Sequence, residues 1–498
     1  MITAHRKIFH KCPNINSAAR KVIQKILQLT FILFLTGLFL TECIKPNRNL
    51  SLSFPQPSSP KQVKIEKVNL ELERQNRLYF DVLPNGMKML IVEMPESTTS
   101  YGAIAIRVGG RYEPESHAGI SHLLEHMIFK EDPETKPLSR IQETGGKVNA
   151  ITELEFTTYY FSVRPEYFNA SMEALVRMVL NPVFTEEELK KEKEVVIEEL
   201  QRAKNDPRSM VLVDIINEIF PDSPVSNIVI GNKRSIKNVT LEDLKVFHTS
   251  YYVPENMVVV AAGNLRVEEM VSYLLTMLGN LERRPAPDHI FSTPHIAVNE
   301  LEKKIPVNQE LLIYGGILPE ITMDDYPAIE VLEALIFSGV NSRLYRKIVI
   351  EKGITDDLYN IVFPLSDCRI WAVFMSLNPG DTDKALNITR EEIGSVLQGE
   401  FSESEFEDAK KAIISKLFID LEAPEDLANF MLTNLLLRNR IITPFEHVRD
   451  LCDLKRDDLV KMAKRYFIPE NLGTISLIPA KGLSKWYIAL KFLATKKL

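Results

Sequence analysis

Apolar and polar residues begin to alternate regularly near Leu78. Tyr79–Leu83 and Lys88–Glu93 read as strands, and Asn85-Gly86 between them is a strong hairpin-turn signal. Tyr101–Val108 predicts a third strand, closed by Gly109-Gly110 and a turn at Pro114. From about Ala118 to Phe129 the period becomes helical, with Leu123, Leu124, Met127 and Ile128 spread around the axis, as in a helix buried on much of its circumference. Phe156–Val163 is β-branched and aromatic and predicts a strand, and Glu166–Leu180 a helix broken at Asn181-Pro182. Thr185 followed by three glutamates has the cap and acidic first turn of another helix, which runs through Arg202 to a stop at Asn205-Asp206-Pro207.

The pattern then repeats. Tyr251-Tyr-Val-Pro-Glu-Asn256 recurs as Tyr466-Phe-Ile-Pro-Glu-Asn471, and Asp243-Leu244 as Asp458-Leu459. Each copy closes a helix and opens an apolar strand. The expectation is an α+β chain of two homologous domains in tandem, 76–282 and 293–480, joined by a proline-rich linker at 283–292. In the second copy, strand Leu311–Gly316 corresponds to Ile104–Gly110, but the helix after it, Tyr326–Ile336, contains no histidine.

That missing pair directs attention to the first copy, where His122-Leu-Leu-Glu-His126 places two imidazoles one helical turn apart on one face. Such a pair can direct two nitrogens at one tetrahedral zinc ion. The order His-x-x-Glu-His is the inverse of the commoner metallopeptidase pattern. Glu125 lies beside the pair, placed to hold a water. A third, anionic ligand is still wanted. Glu192 and Glu199 stand two turns apart on one face of the later helix, so Glu199 is expected to ligate and Glu192 to hydrogen-bond behind it.

With these motifs together, His122-Leu-Leu-Glu-His-Met-x-Phe-Lys130, Gly145-Gly-x-x-Asn-Ala-x-Thr152, Thr157-x-Tyr-Tyr160 and Glu192-x-x-Val-Val-x-x-Glu199, the chain resembles the M16 metallopeptidases, the family of pitrilysin, insulin-degrading enzyme and mitochondrial processing peptidase. The resemblance spans about residues 76–480. It implies a zinc endopeptidase that hydrolyses peptides or unstructured segments. One zinc per chain would be held by His122, His126 and Glu199, with Glu125 as general base and Glu192 as support. It implies that Asn149 and Ala150 lie on an edge strand that pairs with substrate backbone. It also implies that the halves close as a clamshell or ring, one half lacking the metal. Family members carry an Arg and a Tyr after Ser-Arg-Leu in the second half to bind substrate. Here Ser342-Arg-Leu344 matches, but Val349 stands at the usual Arg position and Asp356 near the usual Tyr position. Either Arg346 and Tyr359 fill these roles in a homodimer, or a related partner subunit supplies them. A non-catalytic M16-like scaffold or binding subunit of a cell-envelope complex is the alternative to an enzyme.

The ends of the chain add location. Residues 1–25 hold six basic and no acidic residues, and Leu29–Leu40 is apolar, the layout of a secretory signal. Leu40-Thr-Glu-Cys43 resembles a bacterial lipobox, so residues 1–45 read as a lipoprotein leader lipidated at Cys43 or as an uncleaved anchor. Residues 46–75 read as a tether, and 481–498 as a basic amphipathic tail suited to an anionic membrane or to the protein body. The expected location is the cell envelope, membrane-anchored and facing the periplasm. The net charge of -7 argues against nucleic acid as a partner. Cys368 and Cys452 read as thiols or as one disulfide, and their spacing excludes a zinc ribbon.

Overall fold

The computed structural model describes residues 77–479, apart from 131, 206–218, 222, 224, 226–228, 290, 292–293, 298 and 306–308. The leader with Cys43, the tether and the basic tail lie outside the described residues. Among the described residues, no helix is long and apolar enough to cross a membrane.

In the first half, β1 (Arg77–Val82) and β2 (Lys88–Glu93) form the expected hairpin. Gly86 sits in its turn at φ +90°, where a Cβ would press on Glu255. There follow β3 (Ser100–Ile106), α1 (Ile120–Ile128), β4 (Lys147–Thr152), β5 (Thr157–Val163), α2 (Phe168–Leu180), α3 (Glu186–Asn205), α4 (Leu241–Tyr251) and β6 (Met257–Gly263). The strands join in the order β1-β2-β6-β3-β5-β4, with β2 and β6 parallel and the other pairs antiparallel. The metal-motif helix α1 is shorter than its apolar pattern predicts, because Gly119 takes φ +92° and starts it. A side chain at Gly119 would also meet Ile236 and the backbone of Ile230.

The second half contributes β7 (Glu300–Ile305), β8 (Glu310–Pro319), α5 (Tyr326–Ile336), β9 (Leu358–Pro364), β10 (Cys368–Leu377), α6 (Pro424–Arg438), α7 (Arg456–Tyr466) and β11 (Leu472–Pro479). Its strand order, β7-β11-β8-β10-β9, repeats that of the first sheet from β2 onward, including the one parallel pair, β7 with β11. The repeated Pro-Glu-Asn has one job in both copies. Asn256 Nδ2 donates to the Tyr251 carbonyl at 3.0 Å, and Asn471 Nδ2 to the Tyr466 carbonyl at 3.1 Å. Each amide ties the last turn of a helix to the start of the next strand, satisfying a carbonyl that the helix leaves free.

Both faces of each sheet are covered, so the central strands are largely apolar on both faces rather than alternating. On the first sheet, Met89, Ile91, Ile104, Ile106, Met257 and Val259 pack against that half's own helices. The opposite face, with Leu90, Val92, Tyr101, Ala103, Val258 and Val260, is covered by α6 of the second half through Leu427, Ala428, Met431, Leu432, Leu435 and Leu436. The second sheet receives cover in return. Ile219 packs on Ile313 and Phe374, and Phe220 and Val225 on Ile317 and Leu365. Cys368 is buried and Cys452 exposed, and both are free thiols.

Candidate metal centre

Three of the predicted side chains converge. α1 carries His122 and His126 on one face, their rings edge to face with centroids 4.7 Å apart. α3 passes alongside and directs Glu199 at them. Glu199 Oε2 lies 3.5 Å from His126 Nε2 and 4.0 Å from His122 Nε2. Four ligands about 2.1 Å from a common tetrahedral centre stand about 3.4 Å apart, so the spacing fits one zinc ion. Among the described residues, this trio is the group whose ligand atoms gather in that way. Burial, with His126 adding to it, lowers the His122 pKa to about 4, so its ring is neutral at pH 7 and keeps a lone pair for a metal.

Glu192 stands where the i, i+7 spacing on α3 puts it. Its Oε2 lies 3.0 Å from His126 Nδ1 and accepts from it, which fixes the ring so that Nε2 faces Glu199. Its other oxygen accepts from Lys130 Nζ at 2.5 Å. The pair of glutamates is thus split: Glu199 faces the centre, and Glu192, buried, orients a ligand from behind.

Glu125 projects from α1 between the histidines and the end of β4. Its Oε2 accepts from Thr152 Oγ1 at 2.5 Å. Burial raises its pKa, against the opposing hydrogen bond from Thr152. A carboxylate whose pKa is raised is the stronger proton acceptor once ionised.

Asn149 and Ala150 fall on β4, the outer strand of the first sheet, paired to Tyr160 and Tyr159 of β5. Among the described residues the other side of β4 has no strand beside it, and Asn149 and Ile151 are exposed. Arg346 and Tyr359 are not gathered in. Arg346 pairs with Glu405 at 3.1 Å, and Tyr359 stacks on Phe374 with centroids 5.2 Å apart. None of these contacts reaches the His–Glu cluster. The Ser-Arg-Leu segment continues as a π-helical turn, Tyr345–Glu351, with Ile350 exposed on it.

Three contributors escaped the sequence reading. Thr152 and Lys130 fall within the motifs but no sequence pattern gives them a role, and Lys130, four residues after His126, lies just past the end of α1. Glu113 carried no signal. Its carboxylate accepts the Gly119 N–H at 2.5 Å and the Ser121 N–H at 2.7 Å, at the start of α1. Burial raises its pKa to about 7, against those two hydrogen bonds.

The doubled mixed-sheet fold and the inverted histidine motif define the class, a two-domain M16-type chain. Residues 88–233 match the family model described as insulinase (peptidase family M16), and residues 238–413 the one described as the peptidase M16 inactive domain. The chain belongs to the M16 family. It is 28% identical over 417 residues to the zinc protease PqqE of Helicobacter pylori, covering 80% of this chain and 92% of that one. It is 26% identical over 411 residues to an uncharacterized zinc protease of Rickettsia bellii, covering 81% and 97%. In fold it is similar to a crystallised protease from Helicobacter pylori (TM-score 0.73, 23% identity, 81% of this chain and 100% of that one). It is equally similar to a peptidase M16 inactive domain from Pseudomonas fluorescens (TM-score 0.74, 16% identity, 81% and 98%). A chain of complex III2 from Candida albicans shares the fold at a TM-score of 0.70 and 16% identity, covering 80% and 96%.

Proposed function

We propose that the chain is a zinc-dependent endopeptidase acting on peptides or unstructured protein segments. The observation that carries this reading is the convergence of His122, His126 and Glu199, with Glu192 fixing His126 and Thr152 fixing Glu125. A zinc ion held by His122, His126 and Glu199 would supply a Lewis acid for the scissile carbonyl and acidify water. The chain's own residues do the rest. The unpaired side of β4 takes the substrate backbone as an added strand, with Asn149 and Ala150 opposite the residues near the cleaved bond. Glu125 accepts a proton from the attacking water as its oxygen bonds to the carbonyl carbon. It returns that proton to the amine nitrogen as the C–N bond breaks.

Glu125→Gln keeps the shape of the site and removes the base. The expected outcome is unchanged zinc content and a fall of about 10²- to 10⁴-fold in cleavage of an unstructured peptide. Near wild-type turnover in that variant overturns the assignment, and purified protein without zinc or cleavage, even beside a related subunit, favours the scaffold reading.

Because Arg346 is paired with Glu405 and Tyr359 is stacked on Phe374, we infer that a related second M16 subunit supplies the substrate-binding Arg and Tyr. Full activity of the purified chain alone contradicts this. From the sequence of residues 1–45 we propose a membrane-anchored protein of the cell envelope, and a Cys43→Ser variant that stays in the membrane fraction identifies an uncleaved anchor instead of a lipid.

A further inference from the structure

One short segment touches the metal helix, the strand end beside Glu125 and the second half of the chain together. Gly110–Tyr112 is a single 3-10 turn, followed at once by Glu113. Its backbone is fastened just past the end of β4, where Gly110 N–H donates to the Glu153 carbonyl at 3.1 Å and Arg111 N–H to the Leu154 carbonyl at 2.7 Å. Thr152, which holds Glu125, is the residue before Glu153.

The Arg111 side chain is fully buried and crosses between the halves. Nη1 donates to Glu155 Oε1 at 2.5 Å and to Asp367 Oδ1 at 2.7 Å, and Nη2 to Asp367 Oδ2 at 2.8 Å. Asp367 and Ser366 form the turn between β9 and β10. Ser366 binds the other side of the cluster, its N–H at 3.0 Å from Glu155 Oε2 and its hydroxyl at 3.1 Å from Glu155 Oε1. The Phe291 ring covers the guanidinium, with the centroid 4.1 Å from Cζ. Two residues on, Glu113 reaches the opposite way and receives the two N–H groups at the start of α1.

Hydrophobic packing holds two bodies together without fixing an angle between them. A two-pronged guanidinium–carboxylate contact fixes both distance and direction. It is also costly to bury, and apolar residues serve cohesion at least as well. The cohesion of the halves is already supplied by α6 on the first sheet. The cluster therefore has a geometric role to account for it.

We propose that Arg111 and Glu113 are positioning residues through which the second half sets the reaction geometry. Asp367 and Ser366 fix Arg111 and Glu155, these fix the strand end that holds Glu125, and Glu113 fixes the first turn of the helix that carries His122 and His126. This proposal rests on the peptidase reading. It gives the metal-free half a direct mechanical part in the chemistry of the other.

The test uses the full chain with Asp367→Asn, Glu113→Gln, the double variant and Arg111→Lys. Each is measured for peptide cleavage, thermal unfolding and the visible absorption of its cobalt(II)-substituted form. The expected result is a fall in kcat of about 10- to 100-fold in each single variant, the loss that a small misplacement of reacting groups produces. KM stays within about twofold and the protein stays folded. Glu113→Gln shifts the cobalt absorption band. The double variant loses less than the product of the single losses, because both act along one chain of contacts. Arg111→Lys keeps the charge but not the fork, and does not rescue kcat.

Unchanged kcat in Asp367→Asn and Glu113→Gln overturns the proposal. So does a loss that disappears when activity is expressed per folded, metal-loaded molecule. Glu125→Gln runs alongside. If the zinc-loaded wild-type chain shows no cleavage, even beside a related subunit, the peptidase reading falls, and the cobalt spectra of Asp367→Asn and Glu113→Gln then decide the positioning proposal, which an unshifted band in both overturns.

Discussion

Glu125 is set between two opposing influences, and this makes it the most informative residue to perturb. Burial raises its pKa and the Thr152 hydroxyl, donating at 2.5 Å, lowers it. A base must be ionised to act, so activity falls as pH drops through its pKa. Removing a hydrogen bond to the ionised form moves that pKa up. Thr152→Val keeps the branched shape and deletes the donor. The acid limb of kcat/KM is expected to move to higher pH by about one unit, taking the bond at roughly 1.5 kcal/mol. A limb that stays in place shows that Thr152 does not act on the base. His122, His126 and Glu125 were legible in the sequence because helical spacing alone puts the two histidines on one face and Glu125 beside it. Glu199 was legible because a pair of histidines leaves room for an anion and α3 offers one at the right period. Thr152 and Glu113 were not, since their contacts join segments whose approach only the folded chain defines: 27 residues separate Thr152 from Glu125, and Glu113 reaches back over a turn set by Gly119.

At the scale of elements, α5 shows what becomes of the helix that follows the sheet's central strand when it carries no metal motif. It has no histidine of its own and instead presents Glu333 to Arg369 at 2.7 Å and Glu330 to His447 at 2.8 Å. Burial opposes the charge on His447, but the Glu330 carboxylate outweighs it and raises the His447 pKa. Glu330 responds in the opposite sense: burial pushes it up, His447 more than compensates, and its pKa ends below the ordinary carboxylate value. The sign follows for each partner. A histidine raised in the folded state contributes stability that is present below its unfolded pKa of about 6.5 and lost as pH rises through the raised value. A carboxylate lowered in the folded state contributes stability that is present above its ordinary value and lost as pH falls through the lowered one. The contribution of the pair is therefore largest between about pH 4.5 and 6.5 and declines on both sides. Thermal unfolding of His447→Gln followed from pH 4 to 9 is expected to lie below wild type most clearly in that window and to converge with it in the alkaline range. A constant offset at every pH assigns His447 a packing role only. The repeat itself was readable because Tyr-x-x-Pro-Glu-Asn fixes a helix-to-strand corner, and the same asparagine bond closes that corner twice.

Each half of the described chain lends cover to the other's sheet, so the two are expected to unfold as one body. This was not readable from sequence. The apolar stripe on α6, Leu427, Met431, Leu432 and Leu435, has the periodicity of any core helix, and nothing in a period says which sheet it will lie on. The tandem repeat predicts two homologous domains joined by a linker, without saying how they pack. The structure gives the first sheet a face of Leu90, Val92, Tyr101, Val258 and Val260 that is covered from the second half by α6, with Leu421 and Ile441 beside it. Polar contacts lock the same surface, with Tyr101 Oη donating to Asn429 Oδ1 at 2.8 Å and Ser162 Oγ to Glu425 Oε2 at 3.0 Å. Two consequences can be measured. Leu435→Ala, placed in the second half, is expected to cost about 2–5 kcal/mol, the usual loss for emptying a buried leucine site. It should lower the unfolding of both halves together, seen as one calorimetric transition whose van't Hoff and calorimetric enthalpies agree. Residues 77–282 expressed alone would present that strand face to water as a contiguous apolar patch, of the kind that drives association. They are expected to aggregate or remain insoluble, and to be rescued by co-expression with residues 283–479. Two separate transitions in the intact chain, with Leu435→Ala moving only one, would show that the halves are independent after all.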